Sequence, residues 1–285
     1  MPELPEAQTM ASDLNRLVAG KTIEDVKVSF WPIVATDHDS FIKHLIGQKV
    51  RSVTRLGKWV KFNFRSESSL LAHLKMTGQF ISGPWPSDEF PNKFSDASSA
   101  WPPHARAAFL FSDGKRKEAI FYSDVRKFGR LRLFDKSSVD GFLKSLKLGP
   151  DALTISRQDF HNRIVGSKKP IKQVLLDQTV LAGLGNIYAD ESLFAAGLSP
   201  HRKARELAEQ ESGRLLVEIK RILIEAIENR GSTVDNYQSL EGPGSYQSSH
   251  QVYGKGGRLC PKCSGALVRT IIGGRSSVHC PNCQS

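Results

Sequence analysis

All four cysteines of the 285-residue chain lie in its last 26 residues, as Cys260, Cys263, Cys280 and Cys283. Two C-x2-C pairs separated by sixteen residues suit one tetrahedral zinc, an ion that takes four thiolates at about 2.3 Å. Two disulfides are the alternative. They belong to secreted chains, and the N-terminus lacks the basic-then-apolar leader of one, so a cytoplasmic protein and a zinc site are expected. Between the pairs, "SGALVRTIIGGRSSVH" reads as strand, Gly-Gly turn, strand, with Arg275 near the tip. So small a lobe cannot bury enough apolar surface to fold alone. The metal must supply its folding free energy, which sets residues 250–285 apart as a zinc finger hairpin.

The rest of the chain is rich enough in apolar residues (39%) to pack a core. No apolar run approaches a membrane span. The formal net charge of +11 favours a polyanionic partner. The charge is uneven. From Gly242 onward there is no Asp or Glu, but there are Lys255, Arg258, Lys262, Arg269 and Arg275. An acid-free basic stretch around a metal site points to nucleic acid.

Periodicity divides the remainder in two. Met10, Leu14, Leu17 and Val18 share one helical face, and Gly20 follows as a stop, predicting a helix over 5–18. From there to about Asp135 the pattern is β. "VKFNF" and "RLRLF" alternate, "LLAHLKM" (70–76) reads as a buried strand, and "AAFLF" and "EAIFY" flank an Asp113-Gly114 turn. A sandwich or barrel of short antiparallel strands is expected over 1–135. The five-proline stretch between Phe80 and His104 suits no regular element. After 136 the signals turn helical, with 136–155 expected as a hinge and 156–249 as a helical domain. Ser156 looks like a helix cap, Pro170 a helix opener, Asn186 an N-cap and Gly197 a stop. An amphipathic helix is predicted from about Gly213 to Arg230, and 231–250 is a polar, Gly-rich connector. The fold class is thus α+β and multidomain.

The opening "MPELPE" carries the chemistry. Removal of Met1 would leave Pro2 with a free secondary amine, and an α-amino group titrates at about 7.7–8.0. Much of it is therefore nucleophilic near neutrality. A secondary amine adding to an aldehyde-level carbon gives an iminium directly. Glu3 could then protonate a sugar ring oxygen, and Glu6, one turn along, could steady the amine.

In combination with "RLGKWV", "HLKMTG", "DVRKFG", "LLDQTVLAGLGNIYADESLFAAGLSP" and the cysteine hairpin, this start resembles the bacterial formamidopyrimidine-DNA glycosylase family almost end to end. The resemblance implies a helix–two-turn–helix element around "AGLGNIYADE" and a bifunctional glycosylase and abasic-site lyase for oxidised purines. Base excision would be followed by β,δ-elimination at damaged duplex DNA. It implies catalytic roles for Pro2, Glu3, Glu6 and Lys58. His73, Lys172, Asn186, Tyr253 and Arg275 would contact DNA. Met76, Arg126 and Phe128 would fill the gap left by an extruded base. The Ser232 carbonyl and amides from about Val234 to Tyr237, in a lesion-capping loop over 231–250, would read that base. One structural zinc on the four cysteines, no small-molecule cofactor, no membrane, and a monomer in the bacterial cytoplasm near the nucleoid complete the implication.

Two departures accompany it. Gln8 stands where the family usually has an acid, and Val125 and Lys127 replace a usual Pro and Arg. An endonuclease VIII-like enzyme for oxidised pyrimidines is the alternative within the class, and the long 231–250 segment argues against it. A non-catalytic damaged-DNA-binding zinc-finger protein is the alternative outside it.

Overall fold

The computed structural model describes residues 2–86, 101–234 and 237–285. The chain divides into two compact units. The first holds Met1–Pro2, Glu6–Ser145 and Ser232–Gly244; the second holds Glu3–Pro5, Leu146–Gly231 and Ser245–Ser285. Among the described residues, no helix is long and apolar enough to cross a membrane.

In the first unit, helix α1 (Leu4–Val18) continues from Glu6. Then come β1 (Thr22–Val28), α2 (His38–Leu45), β2 (Val50–Leu56), β3 (Trp59–Phe64) and β4 (Ser69–His73). They are followed by β5 (Gly78–Gly83), β6 (Ala105–Ser112), β7 (Lys117–Asp124), β8 (Arg130–Phe134) and α3 (Lys136–Ser145). Two four-stranded antiparallel sheets result, ordered β1-β6-β7-β5 and β2-β3-β4-β8. Alternating side chains from both sheets make one core, where Phe62 of β3 stacks on Phe111 of β6 at 6.4 Å. Met10, Leu14 and Val18 of α1 are fully buried in it, as their spacing requires. The expected sandwich is present.

Several expectations change in detail. The strand expected over 70–76 stops at His73, because Leu74–Thr77 turn the chain and the Gly78 N–H closes on the Leu74 carbonyl at 2.8 Å. Helix α2 escaped the sequence reading; Asp37 caps it by accepting the Ser40 N–H. Within the stretch expected as a hinge, α3 forms because Asp135 accepts the Ser138 N–H and Phe142 stacks on Phe134 at 4.5 Å. Of the proline-rich stretch, 87–100 lie outside the described residues. Its two ends pack on the sheet. Trp85 and Trp101 cover the outer face of β6 and β7, so β6 is buried on both sides.

The second unit is built on α4 (Arg157–Val165), α5 (Ile171–Leu176), α6 (Asn186–Ala195) and α7 (Glu209–Glu228), then the hairpin β9 (Val268–Ile272) and β10 (Arg275–His279). Ser156 caps α4 as expected, accepting the Asp159 N–H. Helix α7 begins at Glu209 rather than near Gly213, because Glu211 accepts the Ala208 N–H and pairs with Arg202. Residues Ile187 to Phe194 of α6 are all buried. A helix buried all round is a core helix, and α5, α7 and β10 pack against it. The hairpin turns at Gly273 and Gly274, both at positive φ, as the Gly-Gly signal required.

Candidate active site and nucleic-acid interface

Helix α6 begins immediately after a double-glycine loop, and that loop receives Glu3. The Glu3 side chain has no exposed surface. Its Oε1 accepts the Ile187 N–H at 2.9 Å and its Oε2 the Tyr188 N–H at 3.5 Å, so the carboxylate sits on the open N-terminus of α6. The Leu4 N–H donates to the Gly183 carbonyl at 3.0 Å. Side chains at the two glycines would occupy this seat. A Cβ at Gly185 would lie 2.3 Å from Glu3 Cδ, and one at Gly183 2.5 Å from Leu4 Cδ1. Gly183 also takes a φ of 102°, which favours glycine by itself, whereas at Gly185 it is the room for Glu3 that excludes a side chain.

In the first unit, Pro2 is buried and Glu6 is 1% exposed. Glu6 Oε1 accepts the Ser232 N–H at 2.8 Å, and the Glu6 carbonyl accepts the Tyr237 hydroxyl at 3.0 Å. Part of the expected connector is thus anchored: Ser232 and Tyr237 are buried, and the Gly244 N–H donates to Thr233 Oγ1. Of the amides expected to read a base, those of Asp235 and Asn236 lie outside the described residues. Lys58 is half-buried in the β2–β3 turn, where Gly57 takes a positive φ. Gln8 Oε1 accepts Arg55 Nε at 2.9 Å, so a neutral hydrogen bond stands where an acid would have made an ion pair.

His73, at the end of β4, lies edge-on to Trp59, and its Nδ1 accepts the Lys75 N–H at 2.9 Å. Burial, with Lys75 and Lys58 nearby, pushes its pKa down to about 3, so the ring is neutral and its Nε2 carries the proton. Met76 is half-buried in the β4–β5 turn. Arg126 and Phe128 are exposed in the β7–β8 turn, the guanidinium 4.9 Å from the ring centroid.

A cavity of about 350 Å³ in the second unit is lined by Asn186, Tyr253, Gly254, Arg269 and Ser276. Asn186 is the first residue of α6 and not its N-cap; Gly185 takes that place in an extended conformation. Freed from capping, the Asn186 Oδ1 is buried with no hydrogen-bond partner among the described residues. Arginine and glycine backbone in the lining suit a phosphate. Arg269, which the sequence singled out only as part of the basic stretch, donates from Nε to Ser276 Oγ at 2.9 Å. Arg275 is exposed at the start of β10.

Lys172, which the resemblance put among the DNA contacts, lies in the interior. Its side chain is wholly buried, donating from Nζ to Asp190 Oδ1 and to the Ser276 carbonyl, both at 2.7 Å. Asp190 also accepts from the Ser277 hydroxyl and the Val278 N–H. Burial pulls the Lys172 pKa down and pushes that of Asp190 up, and their mutual attraction opposes both shifts. The pair therefore fixes β10 to α5 and α6. The neighbouring Glu191 does the same for the segment carrying Tyr253, accepting the N–H groups of Gln251, Val252 and Tyr253 at 2.7–2.9 Å. Burial raises its pKa against those bonds. The sequence carried one signal of both: two adjacent acids inside an otherwise apolar helix.

The four cysteine Sγ atoms lie within 4.8 Å of one another. Cys260–Cys283 is 3.9 Å and Cys263–Cys280 is 3.5 Å, far beyond a disulfide bond. Sulfurs on the corners of a zinc tetrahedron would stand about 3.8 Å apart, so the cluster fits a metal ion. The Gly265 N–H, then Cys283 and Cys280, pull the Cys263 thiol down to about 7, while hydrogen bonding to Cys263 and burial push Cys283 up to about 12. The Lys262 N–H and the Asn282 amide point at Cys260 and Cys263 as supporting donors.

Comparison with known proteins places these features in context. Residues 1–131 match the formamidopyrimidine-DNA glycosylase N-terminal domain and residues 148–238 its H2TH domain. The chain is similar to the formamidopyrimidine-DNA glycosylase of Geobacillus kaustophilus, 39% identical with the whole of both chains covered. Among solved structures it is similar to a variant of the Lactococcus lactis protein bound to Fapy-dG-containing DNA, with a TM-score of 0.88, 31% identity and complete coverage of both chains. It is similar also to MutM in complex with DNA containing carbocyclic 8-oxo-G, with a TM-score of 0.87 and 31% identity.

Proposed function

Because the chain belongs to the formamidopyrimidine-DNA glycosylase family, we propose a specific assignment of its residues to that family's reaction. The protein is a DNA glycosylase of base excision repair, and damaged DNA is its partner. Its substrates are oxidised purines, 8-oxoguanine and formamidopyrimidines, in duplex DNA.

The Pro2 amine attacks C1′ of the extruded nucleotide. The bond from C1′ to the base nitrogen breaks and the base leaves with its electron pair. The Glu3 carboxylate takes the proton that the Pro2 amine gives up on attack and passes it to the ring oxygen, the sugar opens, and an iminium forms between Pro2 and C1′. Loss of a C2′ proton then expels the 3′ phosphate, a second elimination expels the 5′ phosphate, and water releases the amine. Glu6 steadies the first turn of α1. Lys58 and His73 address phosphate, the latter as a neutral N–H donor. Asn186, Tyr253 and Arg275 grip the backbone beside the lesion, and Lys172 acts through Asp190 and the hairpin it holds. Met76, Arg126 and Phe128 fill the gap and face the orphaned partner base. The segment from Ser232 reads the flipped base. The four thiolates hold one structural zinc, which cross-links the hairpin that carries Arg275. The protein works as a monomer in the bacterial cytoplasm, where its DNA lies.

The observation that carries this reading is the seat of Glu3. A glutamate one residue from the terminal amine is buried on a helix N-terminus, beside a Gly185 whose extended backbone leaves Glu3 as the steric reason for glycine. Borohydride trapping on a lesion-containing or abasic duplex tests it. Wild type should form a covalent protein–DNA adduct mapping to Pro2, and Pro2→Gly should not. An equal yield from Pro2→Gly removes the assignment.

A further inference from the structure

The turns bearing Met76 and Arg126–Phe128 are tied together by one buried carboxylate. Asp124 ends β7 with no exposed surface. Its Oδ1 accepts the Thr77 hydroxyl at 2.5 Å and the Arg126 N–H at 3.2 Å, and its Oδ2 accepts the Gly129 N–H at 2.7 Å. Thr77 Oγ1 in turn accepts the Arg126 N–H at 3.0 Å. The residue after Met76 is thus bonded to the backbone of Arg126, through the acid and directly. Arg106, itself almost buried, donates from Nε to the Asp124 carbonyl and brings a positive charge beside it.

A second link lies behind the first. The buried Tyr122 hydroxyl donates to the His73 carbonyl at 3.3 Å. A Cβ at Gly78 would fall 2.3 Å from that hydroxyl, and one at Gly129 only 1.7 Å from it. Glycine is required at both positions for the two turns to close around the ring. Each turn also holds a lysine in the left-handed region, Lys75 at φ 53° and Lys127 at φ 60°. Such conformations persist where the surroundings over-determine them. The outcome is a rigid double turn that offers solvent a phenylalanine 48% exposed, with an arginine laid over it.

We propose that Asp124 is a positioning residue that sets the spacing between Met76 and the Arg126–Phe128 pair, and thereby the enzyme's discrimination of the base opposite the lesion. The inference rests on the gap-filling reading of those three residues given above. Side chains entering a base stack must meet gaps of fixed spacing, and hydrogen bonds to a partner base tolerate little error. The bonds that run from one turn to the other, from the Thr77 hydroxyl to Asp124, from the Arg126 N–H to Thr77 and from the Tyr122 hydroxyl to the His73 carbonyl, hold that spacing.

The test compares excision of 8-oxoguanine opposite cytosine and opposite adenine, with cleavage of a single-stranded abasic oligonucleotide as the measure of the reaction centre. Asp124→Asn should shrink the ratio of kcat/KM values for the two partner bases by about tenfold, the effect of losing a buried charge-assisted bond. Single-strand cleavage should stay within about twofold, since no partner base or stacked gap is involved. Thr77→Val should act in the same direction and Thr77→Ser should restore the ratio, which decides the matter if Asp124→Asn fails to fold. The double variant should be no worse than Asp124→Asn, because both remove one bond. An unchanged ratio, a parallel fall in single-strand cleavage, or a wild type without partner preference overturns the proposal. Arg126→Ala separates the two levels. If it leaves the ratio intact, the gap-filling reading fails and Asp124 with it. If it collapses the ratio while Asp124→Asn does not, only the Asp124 proposal fails.

Discussion

Replacing Gly185 by alanine should disable excision while leaving the fold almost intact. Gly185 has φ −133° and ψ −160°, an extended conformation open to alanine, so the backbone carries no strain. The effect comes from one methyl group. Its carbon would stand 2.3 Å from Glu3 Cδ and 2.5 and 2.7 Å from the two carboxylate oxygens. Ordinary contact needs at least 3.4 Å, so the carboxyl must retreat by about an ångström. That retreat breaks the 2.9 Å bond from the Ile187 N–H and moves the proton donor off its line to the sugar. A misplacement of that size costs about 10²-fold in rate, and the overpacking about 1–3 kcal/mol in stability. Single-turnover excision from an 8-oxoguanine duplex measures the first, and urea unfolding the second. Affinity for undamaged DNA should change only a few-fold, because the methyl group meets Glu3 while the proposed contacts of Lys58, His73, Tyr253 and Arg275 are untouched. If Gly185→Ala excises within about threefold of wild type while Glu3→Gln is inactive, the seat on α6 is irrelevant to catalysis and the reasoning is wrong.

Lys172→Met should destabilise the protein by about 3–5 kcal/mol in urea unfolding, because it strands the buried Asp190; a loss below about 1 kcal/mol would contradict the pair. His250 is 4% exposed, and burial with Lys255 nearby pushes its pKa down to about 4. Between that value and the ordinary 6.5 the unfolded chain binds the extra proton, so stability is complete above the window and falls as pH drops through it. The slope is at most about 1.4 kcal/mol per pH unit, and His250→Gln should flatten it in thermal unfolding scans. Metal analysis should give one zinc per chain, and chelation should abolish DNA binding together with the ordered hairpin; two disulfides in place of metal would refute the site. Arg275→Ala should lower the slope of log affinity against log salt by about one and weaken all duplexes alike, which a salt titration with lesion and undamaged DNA checks.

The sequence by itself settled what depends on spacing along the chain. Cys260, Cys263, Cys280 and Cys283 with the glycine pair between them dictated a hairpin closed by a cysteine cluster that fits a metal ion. Period-two runs dictated paired strands, and the 3-4 spacing of Met10, Leu14 and Val18 dictated the face that α1 buries. "MPELPE" offered a terminal amine and an acid as the proposed pair. Local chemistry sufficed because each signal spans a few residues and one geometry.

Tertiary structure decided everything that depends on who meets whom. Asn186 looked like a cap, but Gly185 takes the extended cap conformation and leaves Asn186 lining a cavity. Lys172 was expected among the DNA contacts, and its ammonium is held by Asp190 and by a carbonyl 104 positions away. Asp124 and Thr77 bond across 47 positions, and Glu3 meets Ile187 across 184. No periodicity encodes such pairs. A buried charge must find its partners wherever the fold brings donors together, and the cost of leaving it unpaired, not any pattern in the chain, selects which ones they are.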